Sequence, residues 1–186
     1  MKPVQSTTTQ LLLATLFVSM IVFCRFWIDV PNFQPVMAIA LFVGFLFANR
    51  WIAGGTIVAG MLISDLAIGF YDWRLALTVY IALVAPVLLG KLLGKYRQQH
   101  LKLATGVIGF AGLSAVSFYL CTNLCVWSCS QWYPQTLSGL GSCLLMGLPF
   151  LKWTLASNLV FSTGLFATAG VMSLANSEKL ESSVAA

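Results

Sequence analysis

Apolar stretches of about 20 residues, the length one helix needs to cross a bilayer, follow one another along almost the whole chain. Each is closed by a short group of polar, proline or basic residues. Hydrophobic residues fill 59% of the 186 positions and charged ones 8%, more apolar surface than one soluble core of that size can hide. The bilayer is therefore the expected solvent. The pattern predicts an all-α polytopic protein with six transmembrane helices near 10–29, 34–50, 52–71, 75–95, 103–127 and 150–174. Residues 1–175 form a single transmembrane domain on this reading, and the polar 176–186 a disordered cytoplasmic tail.

The first stretch, Leu11 to Phe23, has only Lys2 as a basic leader, and Cys24-Arg25-Phe26-Trp27 follows it instead of small residues. A retained helix is expected, not a cleaved signal. Asn49-Arg50-Trp51 leaves almost no loop between the second and third spans, which predicts a tight hairpin. Between Ser128 and Pro149, the apolar 137–148 is too short to cross, so it is expected to be re-entrant or interfacial. Lys91, Lys95, Arg97 and Lys102 cluster between the fourth and fifth spans. The positive-inside rule puts that loop, Lys2, Arg50, Lys179 and both termini in the cytoplasm. The excess of base thus reports topology, and no nucleic-acid partner is implied.

An ionisable side chain within a span costs at least about 2.5 kcal/mol at the centre, so each one requires a partner or a purpose. Arg25, Asp65 and Lys152 qualify, and all three map to the outer half. Arg25 and Lys152 have stems long enough to snorkel, whereas the short Asp65 must find a cation, a hydroxyl or water inside the bundle. Ser64 and Arg25 are the candidates. Trp27, Phe33, Phe70, Tyr71, Trp73, Trp127, Trp132 and Tyr133 crowd the same side. They fit an interfacial aromatic belt and equally the wall of a ligand pocket. Arg25 and Lys152 would favour an anionic ligand, balanced by Asp65.

Cys121, Cys125 and Cys129 recur at four-residue steps, but there is no CxxC and the single His100 belongs to the opposite loop. Packing is the plainer reading, with a Cys129–Cys143 disulfide left open for an oxidising compartment. Small residues at Ala40, Gly44 and Ala48, and through Gly54, Gly55, Ala59 and Gly60, permit close helix approach. HExxH, GxxxxGK[ST] and GxSxG are absent from the sequence, so neither an enzyme nor a cofactor is expected, and active transport would require a separate ATPase.

In chain order, Pro31-Asn32-Phe33-Gln34-Pro35, Ala38-Ile39-Ala40-Leu41-Phe42, Ser64-Asp65 with Gly69-Phe70, Thr122-Asn123 with Val126-Trp127, Tyr133-Pro134-Gln135-Thr136, Gly139-Leu140 and Pro149-Phe150 form an ordered set. From about Arg25 to Phe166 the chain resembles a family of small bacterial membrane proteins of unknown function (DUF6580-like). That family is in turn similar to the substrate-binding S components of energy-coupling factor transporters. The resemblance implies six helices in the bacterial cytoplasmic (inner) membrane, an outward-facing site for a vitamin-like molecule or metal ion, and docking onto a coupling protein driven by two ATPases. The Ala40, Gly44 and Ala48 face would be the helix-docking surface. Where the family often has Gly-Asp near the start of the last helix, this chain has Ser157-Asn158. The expected ligand-binding residues are Arg25, Asn32, Phe33, Asp65, Asn123, Trp127, Tyr133 and Lys152. A scaffold or assembly protein sharing the S-component architecture is the alternative, and a membrane enzyme using Asp65 or a cysteine the third.

Overall fold

A computed structural model describes residues 2–184, with side chains through Ser173. The described chain is all-helical: α1 Thr7–Trp27, α2 Val36–Leu46, α3 Arg50–Ile68, α4 Trp73–Val84, α5 Pro86–Leu93, α6 His100–Cys129 and α7 Leu137–Val184. Five segments are long and apolar enough to cross a bilayer: α1, α3, α4 through α5 to Tyr96, α6, and α7 to Ser173. The protein is therefore a multi-pass membrane protein.

The second predicted span is the short central helix α2. Its 11 residues give a rise of about 16 Å, roughly half the hydrocarbon thickness, where 34–50 was expected to cross in full. It can be short because protein surrounds it: every residue from Val36 to Phe45 is buried. Non-helical backbone is tolerated at membrane depth only when it is covered and bonded. Here the N-terminal segment supplies the bonds, with the Val4 N–H donating to the Leu46 carbonyl (2.9 Å) and the Ala48 N–H to the Val4 carbonyl (3.1 Å). Gln10, fully buried on α1, donates to the Gln5 carbonyl at 3.1 Å and accepts the Asn49 N–H at 3.1 Å. The tight hairpin between α2 and α3 is thus tied to α1.

Small residues let α2 and α5 cross in backbone contact. A Cβ on Gly44 would strike the Val87 carbonyl, and one on Gly90 the Leu41 carbonyl. This corrects the docking expectation: Ala40 and Gly44 are buried inside the bundle and cannot meet a partner, while Ala48 lies exposed in the connection to α3. Small-residue spacing specified close approach correctly, but the approaching helix is the chain's own.

Two further expectations change at α7. The segment 137–148 does not turn back as a re-entrant element but is the first part of one helix continuing through Pro149. Proline removes one backbone donor, a loss that packed neighbours make tolerable in membrane helices. Just before the proline, Tyr119 of α6 donates to the Leu144 carbonyl at 2.6 Å, and further along Asn158 donates to the Ala111 carbonyl at 2.6 Å. These contacts hold α6 and α7 as an antiparallel pair. At its other end α7 stays helical to Val184, across most of the tail expected to lack structure; Ala185 and Ala186 lie outside the described residues. Helix-favouring Glu178, Lys179, Leu180 and Glu181 extend a helix that has already paid its nucleation cost.

Candidate functional site

The ends of α1 and α3 meet through charge. α1 and α3 run parallel, so Arg25 in the last turn of one lies level with Asp65 near the end of the other. The Arg25 guanidinium approaches Asp65 Oδ1 at 2.5 Å and donates from its other terminal nitrogen to the Met61 thioether at 2.7 Å. Tyr80 of α4 donates its hydroxyl to the second oxygen, Oδ2, at 2.8 Å. Asp65 is buried, and both its oxygens are engaged. Arg25 keeps 18% of its side chain exposed, enough for one edge of the guanidinium to face a cavity.

That cavity has a volume of about 320 Å³. Arg25, Asn32, Gln34, Tyr71 and Thr154 supply its polar wall, and Met37, Leu75, Val79, Leu83 and Phe118 its apolar wall. Asn32, Leu75, Val79 and Phe118 also line a second hollow of about 340 Å³, whose far side is Asn123, Trp132, Tyr133 and the α7 backbone at Gly147. The two share walls, so they read as one cleft between the ends of α1 and α3, α4 and the α6–α7 pair. Tyr71 lies outside the helices at its rim. Burial chiefly, and the Asp65 charge next, push its phenol above the ordinary value, so it remains a donor at neutral pH.

Local rules set the loop that carries Asn32. Its φ of 61° is left-handed, a region asparagine tolerates better than other residues with a Cβ. Ser157 donates to the Asn32 carbonyl at 3.4 Å, pinning the loop to α7. Ser157 and Asn158 therefore act in packing: one side chain holds this loop and the other holds α6.

Four of the eight expected binding residues line the cleft: Arg25, Asn32, Asn123 and Tyr133. Asp65 stands behind Arg25 as its counter-ion. Phe33 packs edge-on to Trp153 and against Phe161, with centroids 6.2 and 5.7 Å apart, and is not among the lining residues. Trp127 has a structural bond, its indole N–H donating to the Pro134 carbonyl at 3.0 Å and so shaping the α6–α7 connection. Lys152 is a correction. Its ammonium lies over the Trp153 ring at 5.1 Å on the exposed side of α7, away from the cleft. Depth along the chain does not fix which face of a helix a side chain occupies, and Lys152 is on the exposed face of α7 well inside its length.

Sequence reasoning missed Tyr80, Met61 and Phe118. Tyr80 carried the only available signal, a hydroxyl within a span that must find an acceptor. Cys125 and Cys129 approach at 4.0 Å without a disulfide, and Cys143 donates to the Asn123 carbonyl at 3.4 Å rather than pairing with Cys129. No cluster of three metal-ligating side chains occurs among the described residues.

Many polar groups in the cleft are turned to their own helices. Asn123 donates to the Tyr119 carbonyl at 2.8 Å, and Thr122 and Thr154 bond to carbonyls one turn back. With Arg25 matched by Asp65 and Lys152 elsewhere, the lining carries no uncompensated charge among the described residues. No curated protein and no solved structure matches the chain. A protein family does, over residues 5–181, which is nearly the full length: the chain belongs to DUF6580, a family of unknown function.

Proposed function

We propose that this protein binds a small organic molecule in the cleft beside Arg25 and serves as the substrate-binding membrane component of a nutrient uptake system, with the cleft opening to the outside. The observation that carries this reading is the cleft itself. It is a cavity of about 320 Å³, walled by apolar side chains and floored by a guanidinium whose charge is already balanced, and its volume is within the range of small-molecule sites. A carboxylate with both oxygens occupied is poorly placed for acid–base chemistry and well placed to hold an arginine. Binding is therefore favoured over catalysis.

The balanced charge alters the expected ligand. Arg25 and Lys152 together would have selected an anion, whereas Arg25 with Asp65 suits a neutral molecule or one with a single polar edge directed at Arg25 and Asn32. The cleft is at the end of the bundle opposite Lys91, Lys95 and Arg97, so the positive-inside rule would turn it outward. Similarity to S components of energy-coupling factor transporters would add a coupling protein and ATPases. Any docking surface for them must lie elsewhere than on the buried Ala40 and Gly44.

The test is native mass spectrometry of the full chain released from membranes, followed by identification of any small molecule it carries. A bound organic molecule lost on Phe118→Trp substitution, which fills the cleft, is expected. An empty protein whose deletion leaves nutrient uptake unchanged, and which co-purifies with cell-wall or respiratory assembly proteins, would replace this reading with a scaffold.

A further inference from the structure

A second cavity, independent of the cleft, faces the membrane. Its volume is about 600 Å³, and it runs between α3 and the α4–α5 segment. Its walls are Gly54 and Val58 on one side and Ile81, Val84 and Leu88 on the other. Two sequence features open it. Gly54 brings no side chain, and at Ala85-Pro86 α4 passes into α5 through a break in the regular helix.

Its length and its end are both informative. From Arg50 to Val58 on α3, and from Leu88 back to Tyr80 on the opposite wall, the groove measures about 12 Å, close to the depth of one hydrocarbon leaflet. Apolar surface that long, exposed at Leu88 and Ile81, suits an extended alkyl chain. Its lower end is chemically different. Arg50 lies over the Trp51 indole at 5.1 Å, and Trp51 is exposed, a cation and an amphipathic ring at the level of the headgroups. Leu88 also borders a shallower hollow lined by Lys91 and Lys95, so two more ammonium groups follow within about two turns. Among the described side chains no carboxylate pairs with Arg50, Lys91 or Lys95.

We infer that this groove is a binding site for an anionic phospholipid, one acyl chain lying against Gly54, Val84 and Leu88 and the phosphate diester held by Arg50 with Lys91 and Lys95. Basic pockets between membrane helices bind anionic headgroups by this combination of charge and apolar wall. The groove lies between α3 and the α4–α5 segment, so the lipid would fill a seam of the bundle and not merely coat it.

The test uses the full chain in detergent, offered equal amounts of phosphatidylglycerol and phosphatidylcholine and read by native mass spectrometry. Retention of phosphatidylglycerol at least tenfold above phosphatidylcholine is expected. Arg50→Ala should remove most of that preference, Gly54→Leu should reduce retention of both lipids by occupying the groove, and Lys102→Ala, outside the groove, should change neither. A photoreactive Val58→benzoylphenylalanine variant in whole membranes should form adducts with lipid. Equal retention of the two lipids, or a preference untouched by Arg50→Ala, overturns the site. A Val58 adduct with a second polypeptide also overturns it and assigns the groove to a partner helix.

Discussion

Two arginines stand at opposite ends of the bundle, and the protein accommodates them differently. Arg97, at the basic end, donates to the Phe45 carbonyl at the close of α2 and lies 3.9 Å from the centre of the Phe45 ring. Arg25, at the cleft end, is held by the carboxylate of Asp65. The difference follows from position. Arg97 lies beyond the last turn of its span, where a backbone carbonyl and an aromatic face help to hold a cation still near water. Arg25 lies within a span, where an uncompensated charge is expensive, so Asp65 and Tyr80 come with it. One arginine fastens a helix end; the other brings a neutralised polar edge to a cavity.

The comparison is broken most severely at Asp65. Asp65→Leu leaves a guanidinium with no counter-charge in a mostly buried position, and the expected loss is about 3–5 kcal/mol. Reversible unfolding in mixed micelles measures it. Adding Arg25→Met to the same chain should recover a large part of the loss, because removing both charges also removes their desolvation. If the two single losses simply add in the double variant, Arg25 and Asp65 are not a coupled pair, and the contrast between the two ends disappears.

Arg97→Met is the matching change at the other end, and it should cost at least about 2 kcal/mol, the value of the hydrogen bond from a charged donor to the Phe45 carbonyl, with the ring contact included in the loss. It should do so equally in wild-type and Asp65→Leu backgrounds, since sites this far apart are additive. Thermal unfolding of the four chains tests both points. A coupling energy larger than about 0.5 kcal/mol would mean that the two ends communicate through α2.

These outcomes depend on features that sequence revealed unevenly. Asp65 was legible because a short carboxylate in an apolar span must have a partner, and Arg25 was the cation at the same depth. Lys152 was equally conspicuous and misleading, since depth along a helix does not fix which face a side chain occupies. Tyr80 was hidden among apolar aromatics. In the fold, the long spans were legible from their composition alone. The brevity of α2 was not, because it depends on Val4 returning to pair with Leu46 and Ala48, a contact more than 40 positions away. Pro149 looked like a terminus because the rule for soluble helices stops there. The packed neighbour that lets α7 continue is a tertiary fact.

The smallest expected effect is at the rim of the cleft, and it sharpens the contrast by showing what a carboxylate does outside the membrane. Asp72 caps α4, accepting the Arg74 and Leu75 N–H groups at 2.9 and 3.4 Å, and pairs with the Arg74 side chain at 3.1 Å. The hydrogen bond from the Arg74 side chain chiefly, and that from its backbone next, hold the Asp72 carboxyl below its ordinary value. A carboxyl depressed in the folded state contributes its stability in full above the unfolded value, near 4, and loses it as pH falls through the lower folded one. Acidification across that window should therefore destabilise wild type slightly more than Asp72→Asn, which keeps a capping oxygen but does not titrate. Both groups are fully exposed and screened by solvent, so the difference should be small and should shrink further in high salt. An acid sensitivity at Asp72 as large as the loss at Asp65 would show that the rim is as dry as the span beneath it, and the cleft would then be closed to water rather than open.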